Sequence, residues 1–183
     1  GAKTKHIVLF VVIGLAAVIA VVAYKQMVSP GNYWMDRIQS FMDPWKDPQG
    51  KGMQIIQSFM AFNSGGFWGA GIGKGMQKLL YLPEAHNDFI FAVIAEELGF
   101  FGVLATLGCF FILIYRGIRI ALKAKDIFAR LLVFGIMFMI SVQVLFNVGV
   151  VLGLLPVTGL ALPFVSYGGT ALISFMGFMG IVL

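Results

Sequence analysis

Four of the eight acidic residues of this sequence lie in one short stretch, YLPEAHNDFIFAVIAEELG (residues 81–99). Within it, Asp88 stands where a polar segment broken by Pro83 meets a long apolar run. A carboxylate in that position can cap the helix that follows, or it can act as a general base at the outer boundary between water and lipid. Spacing alone favours the cap, and the two roles are compatible.

Two further carboxylates, Glu96 and Glu97, lie about two helical turns beyond Asp88, roughly 12 Å deeper by helical rise. Carboxylates at such depth are costly and usually face a polar interior, so we predict ion pairs or hydrogen bonds with other helices. Gln143 and Asn147 are four residues apart and share one helical face. They are predicted to form hydrogen bonds between helices.

Two polar turns offer further candidates for binding. Lys74 and Lys78 lie in and after the glycine-rich segment GAGIGKG (69–75), which either holds a lipid-linked phosphate or is a plain turn. Its spacing fits neither the P-loop nor the dinucleotide fingerprint. Ser166 and Tyr167 precede paired glycines, where they either shape an external site or form the entry turn of a helix.

The polar stretch before Asp88 also carries Glu84 and His86, which are candidate substrate contacts. A histidine can carry a proton or bind a metal ion. The other histidine, His6, is predicted on the opposite side of the membrane, so no two-histidine metal site is expected. The single cysteine, Cys109, lies inside an apolar run, which excludes a disulfide framework within the chain.

The composition is that of an integral membrane protein. Of the 183 residues 60% are hydrophobic and only 11% are charged, whereas a soluble domain of this size needs far more polar surface. The net charge of +5 is not gathered into a dense basic stripe, so its distribution indicates membrane topology rather than nucleic-acid binding.

Four apolar runs predict an all-α protein with four transmembrane helices. The predicted helices are residues 7–24, 89–115, 131–153 and 168–183. The short loop 116–130 carries five basic residues and one acidic residue, which places it in the cytoplasm by the positive-inside rule. Loops 25–88 and 154–167 then lie outside, and both ends of the chain lie inside.

The long external loop 25–88 is predicted to be structured rather than a linker. It holds all three tryptophans and a semi-apolar stretch, MQIIQSFMAF (53–62), which is typical of an interfacial or re-entrant helix. Irregular backbone at membrane depth survives only where protein or water satisfies it, so the loop is expected to fold back over an external cavity. The last helix is short, and we expect the chain to be one portion of a larger bundle.

Three segments resemble signatures of a known family. FMDPWKDPQGKGMQIIQSFMAF, YLPEAHNDFIFAVIAEELG and LLPVTGLALPFVSYGG are similar to those of the SEDS family (FtsW, RodA and SpoVE), and the resemblance runs from residue 37 to 183. The versions DPWKDPQG and PVTGLALPF are closer to the FtsW division branch. The resemblance implies a ten-helix membrane protein, of which this chain holds helices seven to ten and the large loop between seven and eight.

The family resemblance also implies an activity. Its members polymerise lipid II, an undecaprenyl-pyrophosphate disaccharide-peptide, into peptidoglycan strands in the bacterial cytoplasmic membrane. They work with a class B penicillin-binding protein, and the FtsW branch works at the division septum. The resemblance implies neither a nucleotide nor nucleic acid, and a chain holding only part of the bundle is expected to be inactive alone.

The family's essential aspartate falls at Asp88, in HNDFIF, where Asn87 replaces the usual threonine. By this resemblance Asp88 takes the proton of the acceptor sugar's 4-hydroxyl during inverting glycosyl transfer. Lys74, Lys78 or a divalent cation (Mg²⁺ or Mn²⁺) would offset the charge of the departing pyrophosphate. In GKGMQ (50–54) Met53 stands where the family has an aromatic residue.

Two other functions stay open. A lipid II flippase or lipid carrier would need polar groups at the middle of the membrane, which Glu96, Glu97, Gln143 and Asn147 can supply. A structural scaffold for the division machinery would not depend on Asp88.

Overall fold

The computed structural model of the chain describes residues 12, 13, 16, 20, 41–46, 48, 52–75 and 88–182. The chain divides into two compact units, residues 1–38 and 39–183. The first unit is described only at residues 12, 13, 16 and 20, all of them helical. The predicted span 7–24 otherwise lies outside the described residues.

The regular elements described in the second unit are all helical. They are a short 3-10 helix, Pro44–Lys46, and the α-helices α1 (Met53–Gly65), α2 (Ile90–Lys123), α3 (Ile127–Val151) and α4 (Gly169–Val182). With 34 and 25 residues, α2 and α3 are long and apolar enough to cross a membrane, and α4 is a shorter apolar helix of 14 residues. The all-α fold class is therefore confirmed, while the sidedness of the loops stays a prediction.

The predicted cytoplasmic loop 116–130 is mostly helical, and its bounds were wrong. Helix α2 continues to Lys123 and α3 begins at Ile127, so only residues 124–126 connect them. Basic residues ended the apolar run, but arginine and lysine are good helix formers and are favoured near a helix C-terminus. Asp126 caps α3 by accepting from the Ala129 N–H (3.3 Å), and Arg130 Nη2 donates to the Ala124 carbonyl (2.9 Å).

Helix α2 is broken at Gly99, whereas the sequence predicted an uninterrupted helix. Gly99 has φ 66° and ψ −160°, so residues 90–98 and 100–123 form two helical segments. The left-handed φ favours glycine, and a Cβ at this position would also come within 2.7 Å of the Phe67 carbonyl oxygen. The break therefore depends on the segment that packs against it.

That segment is the glycine-rich stretch 66–75, which follows α1. The Phe100 N–H donates to the Gly66 carbonyl (2.9 Å), and the Ala70 N–H donates to the Glu96 carbonyl (2.8 Å). The Gly71 N–H donates to the Glu97 carbonyl (3.1 Å). Backbone groups that the break removes from the helix ladder are thus paired again, which an apolar environment demands.

Helices α1 and α3 complete the core around α2. A helix was predicted over 53–62, and α1 covers this stretch, with Ile55, Ile56 and Ala61 buried. The buried Ser58 hydroxyl lies 2.9 Å from both the Ile55 and the Val151 carbonyl oxygens, and so ties α1 to the end of α3. Whether α1 is interfacial or re-entrant stays a prediction.

Candidate functional site

The structure describes eight of the predicted site residues. They are Lys74, Asp88, Glu96, Glu97, Gln143, Asn147, Ser166 and Tyr167. Lys78, Glu84 and His86 lie outside the described residues.

Asp88 does not occupy the N-cap position of α2, so the interpretation that spacing alone favoured was wrong. The N-cap residue is Phe89, whose side chain makes no cap hydrogen bond. The Phe89 ring is 0% exposed, and its carbonyl accepts from the Ala92 and Val93 N–H groups (2.9 and 3.3 Å). Burial of Phe89 sets where the helix begins, and Asp88 is left in the preceding turn.

Asn147 on α3 holds the backbone of Asp88. Its Nδ2 donates to the Asp88 carbonyl (2.8 Å) and to the Leu160 carbonyl (2.7 Å). The side chain is only 2% exposed, and its Oδ1 has no hydrogen-bond partner among the described residues. One amide therefore joins three parts of the chain: the entry to α2, helix α3, and the loop between α3 and α4.

Gln143, one turn earlier on α3, holds the neighbouring point of the same loop. Its Nε2 donates to the Ala161 carbonyl (3.0 Å). Both amides were predicted to hydrogen-bond between helices. Their acceptors in the structure are backbone carbonyls, two of which lie in the loop that follows α3. Gln143 and Asn147 therefore fix the path of residues 160–161 next to Asp88.

The loop between α3 and α4 faces the Asp88 carboxylate at Gly159. A Cβ at Gly159 would lie 3.4 Å from Asp88 Oδ2, and Gly159 has φ 73°. Because this left-handed conformation suits glycine, the turn brings bare backbone beside the carboxylate. We call the group formed by Asp88, Asn147, Gly159 and Leu160 the Asp88 site.

Ser166 and Tyr167 lie at the far end of this loop. The Ser166 hydroxyl accepts from the Leu162 N–H (2.6 Å), and the Ser166 N–H donates to the Leu162 carbonyl (3.0 Å). Ser166 therefore closes a turn just before α4. This is the entry turn of a helix, one of the two roles predicted for it. The neighbouring Tyr167 side chain is 84% exposed, so it is accessible to a ligand.

Glu96 and Glu97 form a separate group. They lie just before the Gly99 break, about 9 Å along the helix from its first residue, and Glu96 is buried. Gly75 covers both side chains, since a Cβ there would lie 2.9 Å from Glu96 Oε2 and 3.3 Å from Glu97 Cγ. The glycine-rich segment thus packs on the two glutamates, and the structure does not bring them into the Asp88 site.

The glycine-rich segment forms turns rather than an open phosphate cradle. The Ala70 and Gly71 N–H groups are used by the carbonyls of α2, and the Lys74 N–H donates to the Gly71 carbonyl (3.1 Å). These three N–H groups therefore do not face a ligand. The Lys74 side chain is exposed and stays a candidate for a phosphate contact.

Sequence reasoning missed Gly99 and Gly159, although each carried a signal. An isolated glycine inside a helical pattern often has a packing or functional reason, and Gly99 follows directly on the acidic pair. Gly159 lies between two prolines, in a segment that cannot be regular helix. Among the residues described, no group of three or more histidine, cysteine, aspartate or glutamate side chains could hold a metal ion.

Comparison with known proteins gives consistent matches along the chain. The family model FtsW/RodA/SpoVE, described as cell cycle protein, matches residues 1–183. A probable peptidoglycan glycosyltransferase FtsW from Geobacter sp. strain M18 is 51% identical over 151 residues, which are 82% of this chain and 41% of that protein. Stage V sporulation protein E of Bacillus subtilis is 46% identical over 183 residues, which are 100% of this chain and 48% of that protein.

A solved structure is also similar. One chain of a peptidoglycan synthase complex, described as coordinating polymerization and crosslinking, superposes with a TM-score of 0.66 at 34% identity. The match covers 94% of this chain and 47% of that one. The chain therefore spans about half the length of the proteins that it resembles.

Proposed function

Because the chain belongs to the FtsW/RodA/SpoVE family of cell cycle proteins, we propose that it acts in peptidoglycan glycosyl transfer and polymerises lipid II into glycan strands at the bacterial division septum. The observation that carries this proposal is the Asp88 carboxylate. This carboxylate lies beside the backbone of Gly159, and Asn147 donates a hydrogen bond to the Asp88 main-chain carbonyl. Names of relatives support the proposal, since one is called a probable peptidoglycan glycosyltransferase.

In the proposed reaction Asp88 is the general base. The 4-hydroxyl of the acceptor sugar attacks the anomeric carbon of the donor, and its proton passes to the Asp88 carboxylate. The bond between the anomeric carbon and the lipid pyrophosphate breaks as the new glycosidic bond forms, so the configuration inverts. A positioned base of this kind typically contributes about 10²–10⁴-fold to the rate.

The site also favours this role because a buried side chain holds the base. The Asp88 backbone carbonyl accepts from the Asn147 amide, and Gly159 places no side chain beside Oδ2. A base acts well when its position is held before the substrate arrives, because less reorganisation is then needed in the transition state.

Charge on the departing pyrophosphate must be offset. Lys74 and Lys78 are our candidates, with Tyr167, Glu84 and His86 as candidate contacts to the sugar or peptide. A divalent cation such as Mg²⁺ or Mn²⁺ would need ligands beyond the described side chains, and phosphate oxygens of the substrate are suitable ones.

We further propose that the protein lies in the cytoplasmic membrane and works with a class B penicillin-binding protein. The apolar helices α2 and α3 support the location. The similar structure is of a complex described as coordinating polymerization and crosslinking, which supports a crosslinking partner.

A lipid II flippase or carrier is a second candidate, and one observation favours it. Helix α2 is discontinuous at Gly99, with the buried Glu96 beside the break. Broken helices with polar groups inside the membrane are typical of transporters. Here, however, the glycine-rich segment packs against the break. The backbone N–H and carbonyl groups at the break are therefore hydrogen-bonded to this segment.

The decisive experiment replaces Asp88 with asparagine in the full-length protein. Polymerisation of lipid II with the transpeptidase partner should fall at least about 100-fold, because the amide cannot accept the proton, while lipid II binding should be retained. Asp126→Asn is the matched control: it removes an acid from an exposed cap, where asparagine serves equally well. Undiminished polymerisation by Asp88→Asn would rule out the base, and a scaffold would show no dependence on Asp88 at all.

A further inference from the structure

The last turns of α2 carry a cluster of cations that the proposed reaction does not use. Arg116, Arg119 and Lys123 follow one another at spacings of three and four residues, so they lie on one helical face. Together with Tyr115 and Ile120 they line a cavity of about 370 Å³. We call this group the basic cavity.

The basic cavity holds more like charge than its surroundings neutralise. Within the part of the chain that the structure describes, none of the three cations forms an ion pair. The nearest acid in sequence, Asp126, accepts from the Ala129 N–H as the cap of α3. Like charges three and four residues apart repel one another, so an anion bound among them would be stabilised.

Topology alone does not explain this arrangement. A topology signal and the helix dipole need only positive charge near the end of the helix. Arg130 is a basic residue of this region with a structural role. Its Nη2 donates to the Ala124 carbonyl (2.9 Å) and so closes the connection between α2 and α3. Arg119 instead lies over the Tyr115 ring, with 5.0 Å from Cζ to the ring centre, and so remains in the cavity.

The surface next to the basic cavity is apolar. Phe111 and Ile112, one turn before Tyr115 and Arg116, are 70% and 59% exposed. The Phe111 ring is stacked on the Tyr115 ring, with 6.3 Å between centres and 10° between planes. An exposed apolar surface therefore leads directly to three cations at the helix end. A phospholipid has the same order, with acyl chains followed by a phosphate.

We propose that the basic cavity binds the phosphate headgroup of an anionic phospholipid, with the acyl chains lying along Phe111 and Ile112. A zwitterionic headgroup would bring its own cation against the cluster and bind less well. An acidic protein segment would match the charges but not the adjoining apolar surface. The site is distinct from the Asp88 site, because Asp88 precedes α2 and Lys123 ends it, 34 helical residues later.

The test is lipid binding by the full-length protein in detergent, followed by native mass spectrometry. Palmitoyl-oleoyl phosphatidylglycerol is compared with phosphatidylcholine that has identical acyl chains. We expect phosphatidylglycerol to bind at least tenfold more tightly. Each cation removed should weaken its binding about fivefold, so Arg119→Gln combined with Lys123→Gln should weaken it about twenty-five-fold.

Two matched variants separate the cavity from net charge. Lys125→Gln removes a cation from the same connection but outside the cavity, and it should keep the preference for phosphatidylglycerol. Arg119→Lys keeps the charge and should retain most of the binding, which also shows that the position tolerates substitution. Equal loss in Lys125→Gln and Arg119→Gln would overturn the proposal.

Two further results would overturn it. Equal binding of the two lipids would show that the cavity does not select an anionic headgroup. Displacement of phosphatidylglycerol by millimolar inorganic phosphate, but not by chloride at equal ionic strength, would show a site for a free anion instead of a lipid.

Discussion

Replacing Asn147 with leucine removes the buried side chain that donates to the Asp88 backbone carbonyl. Both hydrogen bonds from Nδ2, to the Asp88 carbonyl (2.8 Å) and to the Leu160 carbonyl (2.7 Å), are lost. Leucine has nearly the same size, so no large cavity forms. The substitution therefore tests the two hydrogen bonds rather than packing.

The expected energy follows from these contacts. A buried carbonyl that loses its donor costs about 1–3 kcal/mol, and because Asp88 is half-buried the lower end applies, giving about 2 kcal/mol for the two. Removing Oδ1, which has no partner among the described residues, returns about 1 kcal/mol. A net loss of about 1 kcal/mol, expressed wholly in the transition state, corresponds to a rate about fivefold lower.

The assay is polymerisation of lipid II by the full-length protein with its transpeptidase partner, read as kcat and KM separately. A positioning residue should lower kcat and leave KM nearly unchanged, because the Asn147 side chain is buried and presents no surface to a substrate. Gln143→Leu is the matched control, since it loses one bond to the Ala161 carbonyl and none to Asp88. Its kcat should stay within about twofold of the unchanged protein.

Two results would refute the reasoning. One is an equal loss of kcat in Asn147→Leu and Gln143→Leu, which would mean that the loop, and not Asp88, is what the amides serve. The other is a rise of KM that accounts for the whole effect of Asn147→Leu. Thermal unfolding of both variants distinguishes either result from a general loss of stability.

Two further predictions concern glycines. Gly99→Ala should lower the free energy of unfolding by about 2 kcal/mol or more, because φ is 66° and the new Cβ would meet the Phe67 carbonyl oxygen. Gly108→Ala is the control. A Cβ at Gly108 would have no atom within 4 Å, so this change should stabilise α2 by about 0.5–1 kcal/mol. Thermal unfolding compares the pair, and equal melting temperatures would contradict the packing of the glycine-rich segment. Gly159→Ala should cost about 1–2 kcal/mol at φ 73° and slow polymerisation several-fold without weakening lipid II binding. Unchanged kcat in Gly159→Ala would show that the turn does not serve Asp88.

The apolar runs by themselves determined that this is a helical membrane protein. Burying an apolar run in lipid stabilises a helix whatever its neighbours are, so α2, α3 and α4 lie where hydropathy placed them. Hydropathy did not predict the helix ends, because arginine and lysine residues lie outside the hydrocarbon layer but can still continue the helix. For that reason α2 extends to Lys123 rather than stopping near residue 115.

Local pattern also singled out Asp88, but it did not decide what the carboxylate does. Whether an aspartate caps a helix depends on which residue begins the helix, and here the buried Phe89 ring sets that start. Asn147 is 59 residues away in sequence, and its bond to the Asp88 carbonyl arises only when α3 packs beside α2. No spacing within either segment encodes that contact.

Tertiary structure alone decided the break at Gly99. An isolated glycine in a helix is compatible with a straight helix, and only the approach of residues 66–75 supplies partners for the Glu96 and Glu97 carbonyls. The sequence therefore determined the elements through hydrophobicity, which acts residue by residue. The tertiary structure decided the site, because backbone hydrogen bonds between distant segments exist only once those segments are packed together.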